Sequence, residues 1–237
     1  MDPTALDELI TANHILARED VVDDFGHVSL REPGAHGHFW LTRAVPPAAA
    51  RRADLLRFDL DGRPEDPTAR IYSETILHAR IFAARPDVAC IIHHHARPLL
   101  PFTLPGAPRL RPVFHTGAIM GWEVPVWDSA TEFGPTGMLV DTPAKAESLA
   151  RGLGAHATCL LRSHGAVVTG PSLRQAVAVA LYMVENASVA LAAGAPHHPV
   201  PPLDPAEVAH TARALLTPAT LERIWLGRIA RLPATAA

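Results

Sequence analysis

Leu6, Leu9, Ile10, His14 and Ala17 recur at helical spacing, so the chain opens on a predicted helix over residues 4–19. VSLRE (28–32) and HFWLT (38–42) alternate as short strands around the turn-like PGAHG, and LLRFDLDG (55–62) reads as a strand ending in an Asp-Gly turn. SETILHARIFAAR (73–85) sets Ile76, Ala79, Arg80 and Ala83 on one helical face and stops at Pro86. VACIIHHH (88–95) is an apolar run, read as a buried strand. TPAKAESLARGLG (142–154) is a helix ended by glycine. ATCLLRSHGAVVTG (157–170) is two strands with a turn at His164-Gly165, where Gly165 supplies backbone freedom. SLRQAVAVALYMVENASVALAAG (172–194) is a long apolar helix capped by Ser172, and helices near 204–215 and 218–231 follow.

Helices and strands mix without strict alternation, which predicts an α/β fold: three α/β/α layers around a central mixed β-sheet. Residues 1–237 are expected to form a single domain, with the C-terminal helices packing on it or on a neighbouring subunit. The Pro-rich stretch 196–205, with His197 and His198, reads as a solvated connection.

Composition narrows the function. The formal net charge is -3 and Lys145 is the only lysine, so neither nucleic acid nor an anionic membrane is an expected partner. The apolar runs read as too short to span a membrane. The N-terminus lacks the basic start and apolar core of an export signal, so a cytoplasmic location is expected. Cys90 and Cys159, each in an apolar strand, read as buried free thiols.

The histidines carry the chemistry. In a strand His93 and His95 point one way and His94 the other. Two imidazoles on one face can share a metal ion, although an isolated H-x-H more often just ends a strand or sits in a core. His164 is presented by a tight turn between apolar strands. Glu74 opens the helix before the histidine strand, where the helix N-terminus alone would favour a first-turn carboxylate. Together they match a catalytic metal site with an open position and a general acid/base.

The order GHVSLR, a glutamate at a helix start, RPDVACIIHHHARP, then LLRSHGAVVTG before a long helix resembles the class II aldolase/adducin family over roughly residues 5–195. The resemblance implies an α/β/α fold and a homo-oligomer, usually a cyclic tetramer, with active sites between subunits. It also implies that His93, His95 and His164 hold a divalent metal and that Glu74 is the catalytic acid/base. Three imidazoles accept Zn, Mn, Fe or Co alike.

The departures point to a branch. Family sugar-phosphate enzymes hold phosphate with a G-N-[VI]-S segment, a T-P-S-G-like turn and a Ser-Ser pair. Here stand Gly26-His27-Val28-Ser29, Thr42-Arg43-Ala44-Val45 and Tyr72-Ser73. Three changes in the cradle argue against a phosphosugar. In RPVFHTGAIMG His115 is kept, but Thr116 replaces the family's proton-donating tyrosine. The pattern resembles the family's decarboxylases of dihydroxyphthalate and hydroxypyridine dicarboxylates. It implies a metal-dependent carbon–carbon lyase on a small-molecule aromatic carboxylate, with His115 as a second proton donor. His27, Ser29, Arg43 and Ser73 are then candidates to bind substrate. Arg43 has the fork to take a carboxylate, or is a surface arginine; Ser29 lines the pocket, or caps a turn. The competing readings are an aldolase, an Fe(II) enzyme cleaving with O2, and a non-catalytic interaction domain of the adducin type.

Overall fold

The computed structural model describes residues 3–194 and 200–233, and His197 and His198 lie outside them. The strands are β1 His27–Arg31, β2 His38–Thr42, β3 Leu55–Asp59, β4 Cys90–His94, β5 Val126–Trp127, β6 Thr158–Leu161 and β7 Gly165–Gly170. They form one seven-stranded sheet in the order β3-β2-β1-β4-β7-β6-β5. Every pairing is antiparallel except β5 with β6, so the sheet is mixed, as expected.

The helices are α1 Pro3–Arg18, α2 Thr75–Ala84, α3 Leu100–Thr103, α4 Ser129–Phe133, α5 Pro143–Leu153, α6 Leu173–Ala193, α7 Pro205–Leu215 and α8 Pro218–Ile229. Strand alternation sends Val28, Cys90, Ile92, Ala166 and Val168 into one apolar core with α1, α6 and α8. It sends Phe39, Ile91, Cys159, Leu161 and Val167 into a second core with α2 and α5. Helices thus cover both faces and make three layers. β4 is central and buried at every position, which is why it reads as a continuous apolar run rather than an alternation. The two cysteines are buried and free, one in each core.

Two sequence expectations change. Of the face expected in α2, Ala79 is buried and Ile76 and Arg80 are half-buried, but Ala83 is exposed, and the stripe Leu77, His78, Ile81 and Phe82 carries most of the burial. The stripe is masked in the sequence because His78, a polar residue, occupies a core position. The second change concerns α6, whose 21 residues are long and apolar enough to span a membrane. Here that apolarity serves the core: Val177, Ala180, Met183 and Ala187 are among its buried residues, and Ser172 caps it by accepting from the Gln175 N–H. Trp225 of α8 packs within the chain. It is buried in the first core, with the Arg174 guanidinium over its ring.

Arg31 fixes α2 against the sheet. Its buried guanidinium donates to the carbonyls of Phe82, Arg85 and Val88, so it satisfies backbone acceptors at the end of α2 and beyond it. The other end of α2 is thereby held where Glu74 meets the histidine strand.

Candidate metal centre

β4 ends at His94, and the chain continues to His95 just beyond the end of this central strand. His93 and His95 turn to the α2 side. The turn between β6 and β7 brings His164 to the same point. The Nε2 atoms of His93 and His164 each lie 3.1 Å from His95 Nε2. Glu74 Oε2 lies 3.5 Å from His93 Nε2 and 3.7 Å from His164 Nε2. One donor atom from each of the four residues falls within 4.8 Å of all the others.

The tautomers show that this cluster suits a cation. His93 Nδ1 lies 3.1 Å from the Ala166 carbonyl and His95 Nδ1 3.0 Å from Asp23 Oδ1. Both partners can only accept, so in the neutral rings both Nδ1 atoms carry the proton. The two Nε2 lone pairs then face each other, which is repulsive without a positive centre between them. Ligands at about 2.0–2.1 Å from a tetrahedral ion sit about 3.3 Å apart, close to the observed spacing. The donor set therefore fits a divalent metal.

Backbone geometry explains the sequence around His164. The left-handed residue of the turn is Ser163, with φ 54°, and not Gly165 as expected. Gly165 is needed for closeness instead. A Cβ there would stand 2.3 Å from the His94 carbonyl oxygen and 2.9 Å from the His95 ring. Any side chain at this position pushes a ligand strand away.

Glu74 caps nothing, although it sits at the N-cap of α2 rather than in its first turn. Its Oε1 accepts the Val140 N–H at 2.7 Å, leaving Oε2 toward the histidines. Burial would raise its pKa, but His93, His164 and the Val140 N–H outweigh burial and hold it down to about 2. Glu74 is a carboxylate at neutral pH.

Behind the ligands lies a buried imidazole pair. His27 pairs with His93 across β1 and β4, and its ring packs between His93 and Tyr72. His27 Nδ1 is 2.6 Å from His78 Nε2, and His78 Nδ1 is 2.6 Å from Ser29 Oγ. His94 is fully buried on the opposite face. Burial, with His93 nearby, depresses His78 and His94 to about 3, and burial with His93 brings His164 to about 4.

These depressed values make the metal-free fold acid-sensitive. Unfolded imidazoles titrate at the ordinary 6.5, so below that pH the unfolded chain binds more protons than the native one and stability falls with pH. His78 and His94 should each remove about 2 kcal/mol between pH 6.5 and about pH 5. Urea unfolding of metal-stripped protein at about pH 5 and about pH 7.5 checks this. Equal stabilities would show that the two rings are not held neutral.

The other sequence candidates are placed differently. Ser29 was expected in the pocket lining or at a turn; it is instead fully buried in β1, its hydroxyl committed to His78. His115 does not join the cluster. It is exposed and lines a separate cavity with Glu207 and His210 of α7. Its segment is anchored by Asn186, which accepts the Val113 N–H and donates to the Arg111 carbonyl. Arg43 is tied to Asp54 through Nε at 2.6 Å. Ser73 is exposed beside Glu74. Asp23, Tyr72, His78 and Val140 complete the surroundings; the motif marks Tyr72 only as the residue replacing a family serine, and none of the four was expected at the site. The one visible signal was His78 itself, a histidine one turn after Glu74 on an apolar helix.

The mixed sheet, with three imidazoles and a carboxylate converging beyond the end of β4, agrees with the comparisons, which place the chain among the class II aldolase-like lyases. Residues 7–191 match the family model of the class II aldolase and adducin N-terminal domain, and the chain belongs to that family. It is 32% identical over 201 residues to Decarboxylase tropJ of Talaromyces stipitatus, covering 76% of this chain and 73% of that one. It is 28% identical over 249 aligned positions to the 3,4-dihydroxyphthalate decarboxylase of Arthrobacter keyseri, covering 97% and 94%. In structure it resembles an aldolase II superfamily protein from Pseudomonas syringae, with TM-score 0.79, 25% identity and 97% and 93% coverage. It shares its fold with L-fuculose 1-phosphate aldolase from Glaciozyma antarctica, with TM-score 0.75, 22% identity and 95% and 87% coverage.

Proposed function

We propose that this protein is a metal-dependent carboxy-lyase acting on a hydroxylated aromatic or heteroaromatic dicarboxylate. The observation that carries the reading is the convergence of His93, His95, His164 and Glu74 in a chain that aligns almost end to end with a dihydroxyphthalate decarboxylase. The three imidazoles hold the ion through the Nε2 atoms that converge at one point. A bound divalent ion supplies Lewis acidity that draws off charge building on an oxygen next to the breaking bond.

Glu74 moves the proton. As a carboxylate it takes one at Oε2, from a substrate hydroxyl or from water, while Val140 holds Oε1 in place. CO2 departs without the bonding electrons, the ring carbon keeps the pair, and Glu74 returns the proton to that carbon. His27 and Ser73 line the pocket. Arg43, steadied by Asp54, turns its remaining nitrogens to the carboxylate that stays. In a homo-oligomer His115 serves the site of a neighbouring copy.

Product analysis tests the reading. Stripped enzyme reloaded with Mn, Zn, Fe or Co is offered a panel of ortho-hydroxylated aromatic and pyridine dicarboxylates, anaerobically and in air. CO2 release that is independent of oxygen is expected. Aldehyde release would make the protein an aldolase, and oxygen uptake an oxidative cleavage enzyme; either outcome replaces the carboxy-lyase reading.

A further inference from the structure

The buried relay Ser29–His78–His27 has two hydrogen bonds and no catalytic metal ligand. Its direction follows from Ser29. This side chain is fully buried and, among the described residues, its hydroxyl meets His78 alone. Were His78 Nδ1 the donor, the serine proton would be stranded in the interior, at a cost of about 1–3 kcal/mol. The serine therefore donates, and His78 Nδ1 accepts. A neutral His78 then carries its proton on Nε2, which donates to His27 Nδ1. A neutral His27, in turn, carries its proton on Nε2. That N–H has no hydrogen-bond partner among the described residues, but it is not sealed in the interior as the serine proton would be, and its ring rests against the metal ligand His93 and against Tyr72. The Tyr72 hydroxyl is engaged elsewhere, donating to the Val45 carbonyl.

We infer that Ser29 and His78 are positioning residues that lock His27 as the Nε2–H tautomer, so that the site offers a hydrogen-bond donor to a substrate oxygen beside the metal ligands. The inference rests on the lyase reading and narrows it. The matching substrate carries a carboxylate or phenolate oxygen at this place. One that puts an N–H or C–H there leaves the His27 donor buried and unpaired, a loss that discriminates strongly. The opposite tautomer would turn a lone pair toward the same oxygen and repel it.

Nitrogen NMR of protein labelled at the histidine rings tests the lock directly. Spectra are recorded metal-stripped and zinc-loaded, with His27→Gln used to assign the His27 signals. The expected wild-type result is a proton on Nε2 and a bare Nδ1 in both His27 and His78. Ser29→Ala should leave His27 as a tautomer mixture. It should also lower kcat/KM on 3,4-dihydroxyphthalate by about tenfold, with zinc affinity unchanged. A wild-type His27 protonated on Nδ1 overturns the inference, as does a Ser29→Ala protein whose tautomers and activity match wild type. The wild-type spectrum decides the tautomer even if no carboxylate substrate is turned over, so failure of the lock and failure of the lyase reading are separate results.

Discussion

His164→Ala is expected to bind divalent metal at least about 100-fold more weakly than wild type and to lose metal-dependent turnover. The reason is geometric. His164 supplies one of three convergent Nε2 atoms, and it is the only one of the three brought by the β6–β7 turn. Removing it leaves His93 and His95, whose second nitrogens are still fixed by Ala166 and Asp23. Two imidazoles hold an ion far less tightly than three. The fold should survive, because His164 belongs to neither apolar core. Calorimetric titration of stripped protein with zinc measures the effect. An affinity within a few-fold of wild type would mean that His164 is not a ligand.

Glu74→Gln separates binding from proton transfer. The glutamine keeps an oxygen that can accept the Val140 N–H, so the α2 entry stays anchored. It cannot take up a proton and return it. Metal content should therefore stay near wild type while kcat falls by about 100- to 10,000-fold. Loss of the metal together with activity would assign Glu74 to the ligand set, since its Oε2 is 3.5 Å from His93 Nε2. Unchanged kcat would remove it from the chemistry.

The elements of the fold were legible because their signals are local. β4 announces itself as an apolar run, α5 by its Gly154 stop, and α6 by its Ser172 cap. The histidine cluster was legible for a different reason: strand parity puts His93 and His95 on one face, and the family resemblance adds His164 as a proposed ligand. What stayed hidden depends on contacts far apart in sequence. The Ser29–His78 bond joins residues 49 apart, and the His95–Asp23 bond residues 72 apart. Neither carries a periodicity. The role of Gly165 was misread for the same reason, since its need for a missing side chain comes from His94 and His95 on the adjacent strand. Ser29 reads as a pocket residue from its motif, but β1 is buried on both faces, so the hydroxyl points inward to α2.

The most direct test of the central claim is a metal add-back. Stripped protein is titrated with manganese or zinc under anaerobic conditions with 3,4-dihydroxyphthalate present, while bound metal and released CO2 are followed together. The account predicts that CO2 release rises in step with occupancy and saturates at one ion per chain. CO2 release that is the same in stripped and loaded protein, or none at full occupancy with any of the dicarboxylates, would contradict it.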